Sequence, residues 1–158
     1  MRFSAATMLL LACVTSGRAG AQTGVQLVLS GQQGSFAVPT VADYAAGILE
    51  ATQPIDFQVI TTSEPAGPLT TTVYIRSFSS TLGGGKPVAD MEWRRGGDQT
   101  WHVLTTTDAI VERRIVQGSP QGHTWDNTIH LRVALSWASD PPGTHVGNLI
   151  LTVSTIQP

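Results

Sequence analysis

Residues able to do chemistry are few in this chain, and their spacing rarely gathers them. His123, Asp126 and His130 form an H-x-x-D-x-x-x-H pattern. A zinc site needs three or four converging ligands, and in an extended chain only positions 126 and 130 share a face. These three read as polar groups on a loop running into a strand. Asp98 and His102 flank a Gly-Gly turn and are expected to meet across it as a surface ion pair. No serine or cysteine lies in a strained nucleophile setting such as G-x-S-x-G, so they complete no triad. Glu50, Glu64, Glu92 and Glu112 offer carboxylates, but nothing in their spacing makes two converge as glycoside hydrolysis requires. Gly83-Gly84-Gly85-Lys86 lacks the G-x-x-x-x-G-K-[ST] spacing of a phosphate loop, and Pro87 stands where a helix would follow. The expectation is a protein that is not an enzyme, with no catalytic residue, no metal site and no cofactor.

The four tryptophans carry more information. Trp93, Trp101 and Trp137 fall on the inward parity of their strands and are expected in the core. Trp125 lies in a Gly/Pro/Gln-rich stretch beside His123 and is expected in a loop. An exposed tryptophan flanked by polar groups can stack on a sugar face. Trp125, His123 and Asp126 are therefore the candidate ligand-binding residues, with a glycan as the ligand. The plainer alternative is a loop tryptophan folded over the open end of the core.

The elements that position these residues alternate with a period of two, the mark of a half-buried strand. Ile129, Leu131, Val133, Leu135 and Trp137 alternate with His130, Arg132, Ala134 and Ser136. Asp140-Pro141-Pro142-Gly143 breaks the strand, and Gly147, Leu149, Leu151 and Val153 resume it. These read as two long antiparallel strands closing a sandwich. Val25, Leu27 and Leu29 form an opening strand, Ile55, Phe57 and Val59 another, and Leu69, Thr71, Val73 and Ile75 a third. Met91 and Trp93 lead into a Gly96-Gly97-Asp98-Gln99 hairpin turn, with Trp101 and Val103 returning. Residues 110–116 make a further strand whose inward face Glu112, Arg113 and Arg114 blur. Two readings exist for residues 40–51. Thr40 and Asp43 have capping-box spacing, but Gly47 weakens a helix interior, so an irregular, partly extended segment is expected. Residues 79–87, with three consecutive glycines, read as a flexible loop.

About eight short strands separated by turn residues predict an all-β antiparallel sandwich of Ig-like or pilin-like type. It is preceded by a secretory leader over residues 1–21, so that residues 22–158 form the domain. Met1-Arg2, the apolar run to Val14 and Ala19-Gly20-Ala21 supply the three parts of that signal. The apolar run is too short to span a membrane. A lipid anchor at Cys13, after Leu10-Leu11-Ala12, is the alternative start. Cys13 is the only cysteine, so a chain beginning at Gln22 can form no disulfide. Charged residues make up 13% of the chain, against roughly 25% in ordinary globular proteins. Without the leader, seven basic side chains face eleven acidic ones, which excludes a basic nucleic-acid-binding surface.

The closing pattern of Trp137, Asp140-Pro141-Pro142-Gly143-Thr144 and Gly147, then Leu149, Leu151 and Val153, resembles the last strands of secreted bacterial β-sandwich proteins. The groups in question are the spore-coat-U-type and pilin-like proteins, whose chains often end "PPGTY" before an apolar/Thr alternation; His145 stands at the tyrosine position. The resemblance covers about the last 30 residues and implies a secreted structural or adhesive subunit of a bacterial surface or extracellular assembly. Self-association would run through sheet edges, with Val25, Leu27 and Leu29 as assembly residues if strands are exchanged. A monomeric extracellular carbohydrate-binding module is the alternative.

Overall fold

A computed structural model describes residues 22–30, 34–140 and 147–157. Residues 1–21, where a leader is expected, with Cys13, and residues 141–146 with their Pro-Pro-Gly motif and His145 lie outside the described residues. The described chain forms nine strands and one short helix: β1 (Gln22–Ser30), α1 (Val41–Ala46), β2 (Ile48–Glu50), β3 (Ile55–Glu64) and β4 (Gly67–Ser77) come first. They are followed by β5 (Met91–Arg95), β6 (His102–Val103), β7 (Ala109–Gly118), β8 (His123–Ala134) and β9 (Leu149–Ile156). The protein is all-β, with two antiparallel sheets packed as a sandwich.

The larger sheet runs β1-β3-β8-β5-β6, and β2 pairs with β8 beyond the end of β3. The smaller sheet is β7-β4-β9. The period-two residues meet between the sheets. Phe57, Val59, Ile129 and Leu131 from the larger sheet are buried with Leu69, Val73, Ile75 and Val116 from the smaller. Inward Thr61, Ser63 and Thr71 are buried too, with their small hydroxyls bonded: Thr61 to the carbonyl of His123 and Thr71 to the hydroxyl of Thr155 across to neighbouring strands, and Ser63 to the carbonyl of Pro65 at 2.8 Å.

The strand β8 is the spine of the larger sheet, holding β3 and β2 along one side and β5 along the other. It does not pair with β9 as the sequence suggested. Instead β9 crosses to the smaller sheet and lies antiparallel to β4, with Val153 opposite Val73. Each strand has one apolar face, and placing them in opposite layers points both faces into the same core.

Three local expectations are corrected. Residues 41–46 are helical: the Thr40 hydroxyl accepts from the Asp43 N–H, and the Asp43 carboxylate accepts from the Thr40 N–H at 2.7 Å. Gly47 does not interrupt this helix but ends it, at φ 73°, where a residue with a Cβ would be strained. The blurred face of β7 is a bulge. Val73 pairs with Glu112 but Tyr74 pairs with Ile110, so Val111 is the extra residue and both Val111 and Glu112 turn inward. Finally, strand geometry stops at Ala134. Leu135 is buried and donates its N–H to the carbonyl of Gly47 at 2.8 Å. The Asp140 carboxylate accepts the Ser136 N–H at 2.7 Å, folding residues 136–140 into a turn. Trp137 therefore leaves the core. It is 64% exposed and stacks on Tyr44 with ring centroids 4.3 Å apart.

Candidate functional site

Val25, Leu27 and Leu29, the residues expected to serve assembly, lie on β1. β1 is the outer strand of the larger sheet, and among the described residues it pairs only with β3, in register from Gln22 opposite Glu64 to Ser30 opposite Asp56. Leu27 is buried in the core, with Val25 and Leu29 packed partly against it. β9 is likewise an outer strand, paired only with β4 among the described residues. β1 and β9 approach each other on one flank of the sandwich. Neither QTGVQLVLS nor LILTVSTI contains a charged residue or a proline. Those are the usual guards against edge-to-edge pairing. The other two edges differ: β6 is two residues long, and β7 carries Glu112, Arg113 and Arg114.

The glycan-platform residues sit differently. Trp125 is not in a loop but within β8, opposite Val59, and only 6% exposed. The Arg114 guanidinium lies 5.4 Å from its ring centroid, and the His123 ring 5.8 Å away. No face is left open for a sugar to stack on. Asp126 points to the opposite side of the sheet, where its carboxylate accepts from Gln58 Nε2 at 2.9 Å. β8 thus separates Trp125 from Asp126 by the alternation of the strand itself. The remaining aromatics also redistribute. Trp93 is buried as expected, with His102 tilted against it at 4.9 Å. Trp101 lies on the outer face of the larger sheet, against the guanidinium groups of Arg132 at 4.4 Å and Arg94 at 4.8 Å. Cation–π attraction stabilises that placement where core burial was expected.

Charged residues fall into compact clusters. Asp98 does not meet His102; it pairs with Arg95 at 2.9 Å. Glu92 bridges to Arg132 across β5 and β8. Glu112, buried, accepts from Arg114 Nε at 2.6 Å and from Asn127 Nδ2 at 2.8 Å. The least expected cluster involves Lys86. The glycine run is a 3-10 turn, with Gly84 and Gly85 at φ 81° and 82°, and it closes when the Leu82 N–H donates to the Lys86 carbonyl at 2.7 Å. This anchors what the sequence suggested was a flexible loop, and it turns the Lys86 side chain inward. Its ammonium lies 2.6 Å from Asp140 and 2.9 Å from Asp90, with the Lys86 and Asp140 side chains only 3% and 2% exposed. Burial pushes the ammonium down, but the hydrogen bonds and charges of Asp140 and Asp90 more than offset this and hold it above the usual lysine range. Sequence signals for the cluster were faint. Lys86 was the only lysine in the chain, and Asp140 opened the Pro-Pro-Gly break.

Among the described residues, no group of three or more His, Cys, Asp or Glu side chains is arranged to hold a metal ion. No helix among them is long and apolar enough to cross a membrane. No protein-family model matches the chain, and no curated protein matches it.

Proposed function

We propose that the protein is a secreted, non-enzymatic structural or adhesive subunit of a bacterial cell-surface or extracellular assembly, associating through its sheet edges. The observation that carries this reading is the pair of uncharged outer strands, β1 and β9, on one flank of the sandwich. A strand from a second copy adding there would pair along the outer edge of β1 while alternate side chains are gripped. Addition to the outer edge fits better than exchange of β1 itself, because withdrawing β1 would strip Leu27 from the core. The similarity of the closing strands to spore-coat-U-type and pilin-like proteins points the same way. Light scattering and negative-stain imaging of the native protein test the reading, with detergent-resistant ladders or filaments expected. Replacing the outward residues Gln26 and Val28 with lysine should leave a folded monomer. A wild-type protein that stays monomeric at high concentration would sink the proposal, as would a double-lysine variant that assembles unchanged.

Exposed Trp137, with one ring face on Tyr44 and most of its surface open, favours a second reading as a monomeric extracellular carbohydrate-binding module. In that case Trp137→Ala abolishes retention on a glycan array and Trp125→Phe does not. Equal retention by the Trp137 variant removes the reading.

A further inference from the structure

The geometry points to Lys86 and Asp140 as a site of self-catalysed amide formation, a covalent cross-link between the loop before β5 and the turn after β8, with Asp90 moving the protons. The reacting groups are buried, and Nζ lies 2.6 Å from Oδ1 of Asp140. The carboxyl carbon to be attacked is one bond beyond that oxygen. The other oxygen, Oδ2, accepts the backbone N–H of Ser136 at 2.7 Å. That donor already sits where negative charge develops when an amine adds to the carboxyl carbon. Asp90 reaches Nζ at 2.9 Å and is 37% exposed, so it meets both the buried amine and solvent.

The balance needs no oxidant, reductant or co-reactant. One ammonium proton passes through Asp90 to Oδ1 of Asp140, leaving a neutral amine beside a neutral acid. Nζ then bonds to Cγ, and negative charge gathers on Oδ2 against the Ser136 N–H. A second nitrogen proton, relayed again by Asp90, goes to the Oδ1 hydroxyl, and the Cγ–Oδ1 bond breaks. The product is one amide N–H and one water, with Asp90 restored to its starting state. Pairing favours the charged form of Lys86, so the ion pair is the resting state and the first proton transfer makes the reaction slow. Two effects favour the product. Held partners reach effective concentrations of about 10⁵–10⁸ M in well-oriented intramolecular reactions. Turning two buried charges into a neutral amide also removes their desolvation cost. The bond would join positions 54 residues apart, constraining the unfolded chain much as a disulfide does.

Denatured intact-mass measurement of the purified, aged protein is the test, read against the mass calculated for its own termini. The expected result is a loss of one water, together with a branched proteolytic peptide joining Lys86 to Asp140. Lys86→Arg should restore the full mass, and Asp90→Asn should slow cross-linking at least tenfold. A wild-type protein at full mass, with Lys86 and Asp140 on separate unmodified peptides, overturns the inference. Water loss that persists in Lys86→Arg overturns it too, and unchanged cross-linking in Asp90→Asn removes the role given to Asp90.

Discussion

Replacing Glu112 by alanine should destabilise the sandwich by about 2 kcal/mol, a value worked from the charges around it. Its carboxylate is 5% exposed and accepts from Arg114 at 2.6 Å, Asn127 at 2.8 Å and, at the limit of hydrogen bonding, Arg95 at 3.5 Å. Removing one partner of a fully buried ion pair costs about 3–5 kcal/mol, because the other charge is left stranded. Here the Arg95 and Arg114 side chains are 33% and 41% exposed. Water can solvate them once the carboxylate is gone, which brings the cost below that range. Arg95 also keeps Asp98 as a partner. What remains is chiefly the hydrogen bond to Asn127 and the cavity beside the bulge. Glu112→Gln retains the shape and one acceptor, so it should lose only about half as much. Urea unfolding followed by tryptophan fluorescence measures both variants, with the midpoint falling and the slope unchanged. In a double-mutant cycle with Asn127→Ala, the second substitution should add little once Glu112 is absent. A Glu112→Ala midpoint within about 0.5 kcal/mol of wild type, the range of ordinary surface changes, would refute the account of the cluster.

Other consequences are as direct. At Gly118 a Cβ would come within 2.7 Å of both Leu69 Cδ1 and Ser63 Cβ, so Gly118→Ala should cost about 1–3 kcal/mol by overpacking; an unchanged thermal midpoint would contradict that. Trp125→Ala should lose about 3–5 kcal/mol as a buried aromatic, whereas Trp137→Ala, at an exposed site, should stay within about 1 kcal/mol of wild type. Chemical denaturation of the two side by side tests the reversal of their expected environments. The hydrogen bonds from Thr40 hold the Asp43 carboxyl below its ordinary value of 3.8. Its contribution to stability is therefore present above that value and lost as pH falls through the lower folded one. NMR titration should place the Asp43 midpoint below that of an unfolded aspartate, and a midpoint at or above it would contradict the capping box.

The inward sets of β3 and β4, and of β8 from Ile129 to Val133, were legible from alternation alone, because a strand's two faces follow from backbone geometry. The Gly96-Gly97 hairpin was legible for a similar reason, since β5 and β6 are near in sequence, but its register was not: His102, and not Trp101 or Val103, stands opposite Trp93. The capping box is visible as spacing, but spacing alone does not tell a glycine inside a helix from one that ends it, as Gly47 does. Long-range decisions were not legible. Alternation says that β8 and β9 each have an apolar face, yet it cannot say that they lie in different sheets, since either layer buries such a face equally well. Parity likewise placed Trp101 and Trp137 inward, but β8 ends before position 137, and two arginines hold Trp101 outside. Lys86 and Asp140 stand 54 positions apart, with no local pattern linking them. Sequence determined which side chains wanted to leave water, because that is a property of each strand taken singly. Tertiary structure decided which charges and edges stand together, because that depends on what the rest of the chain places opposite them.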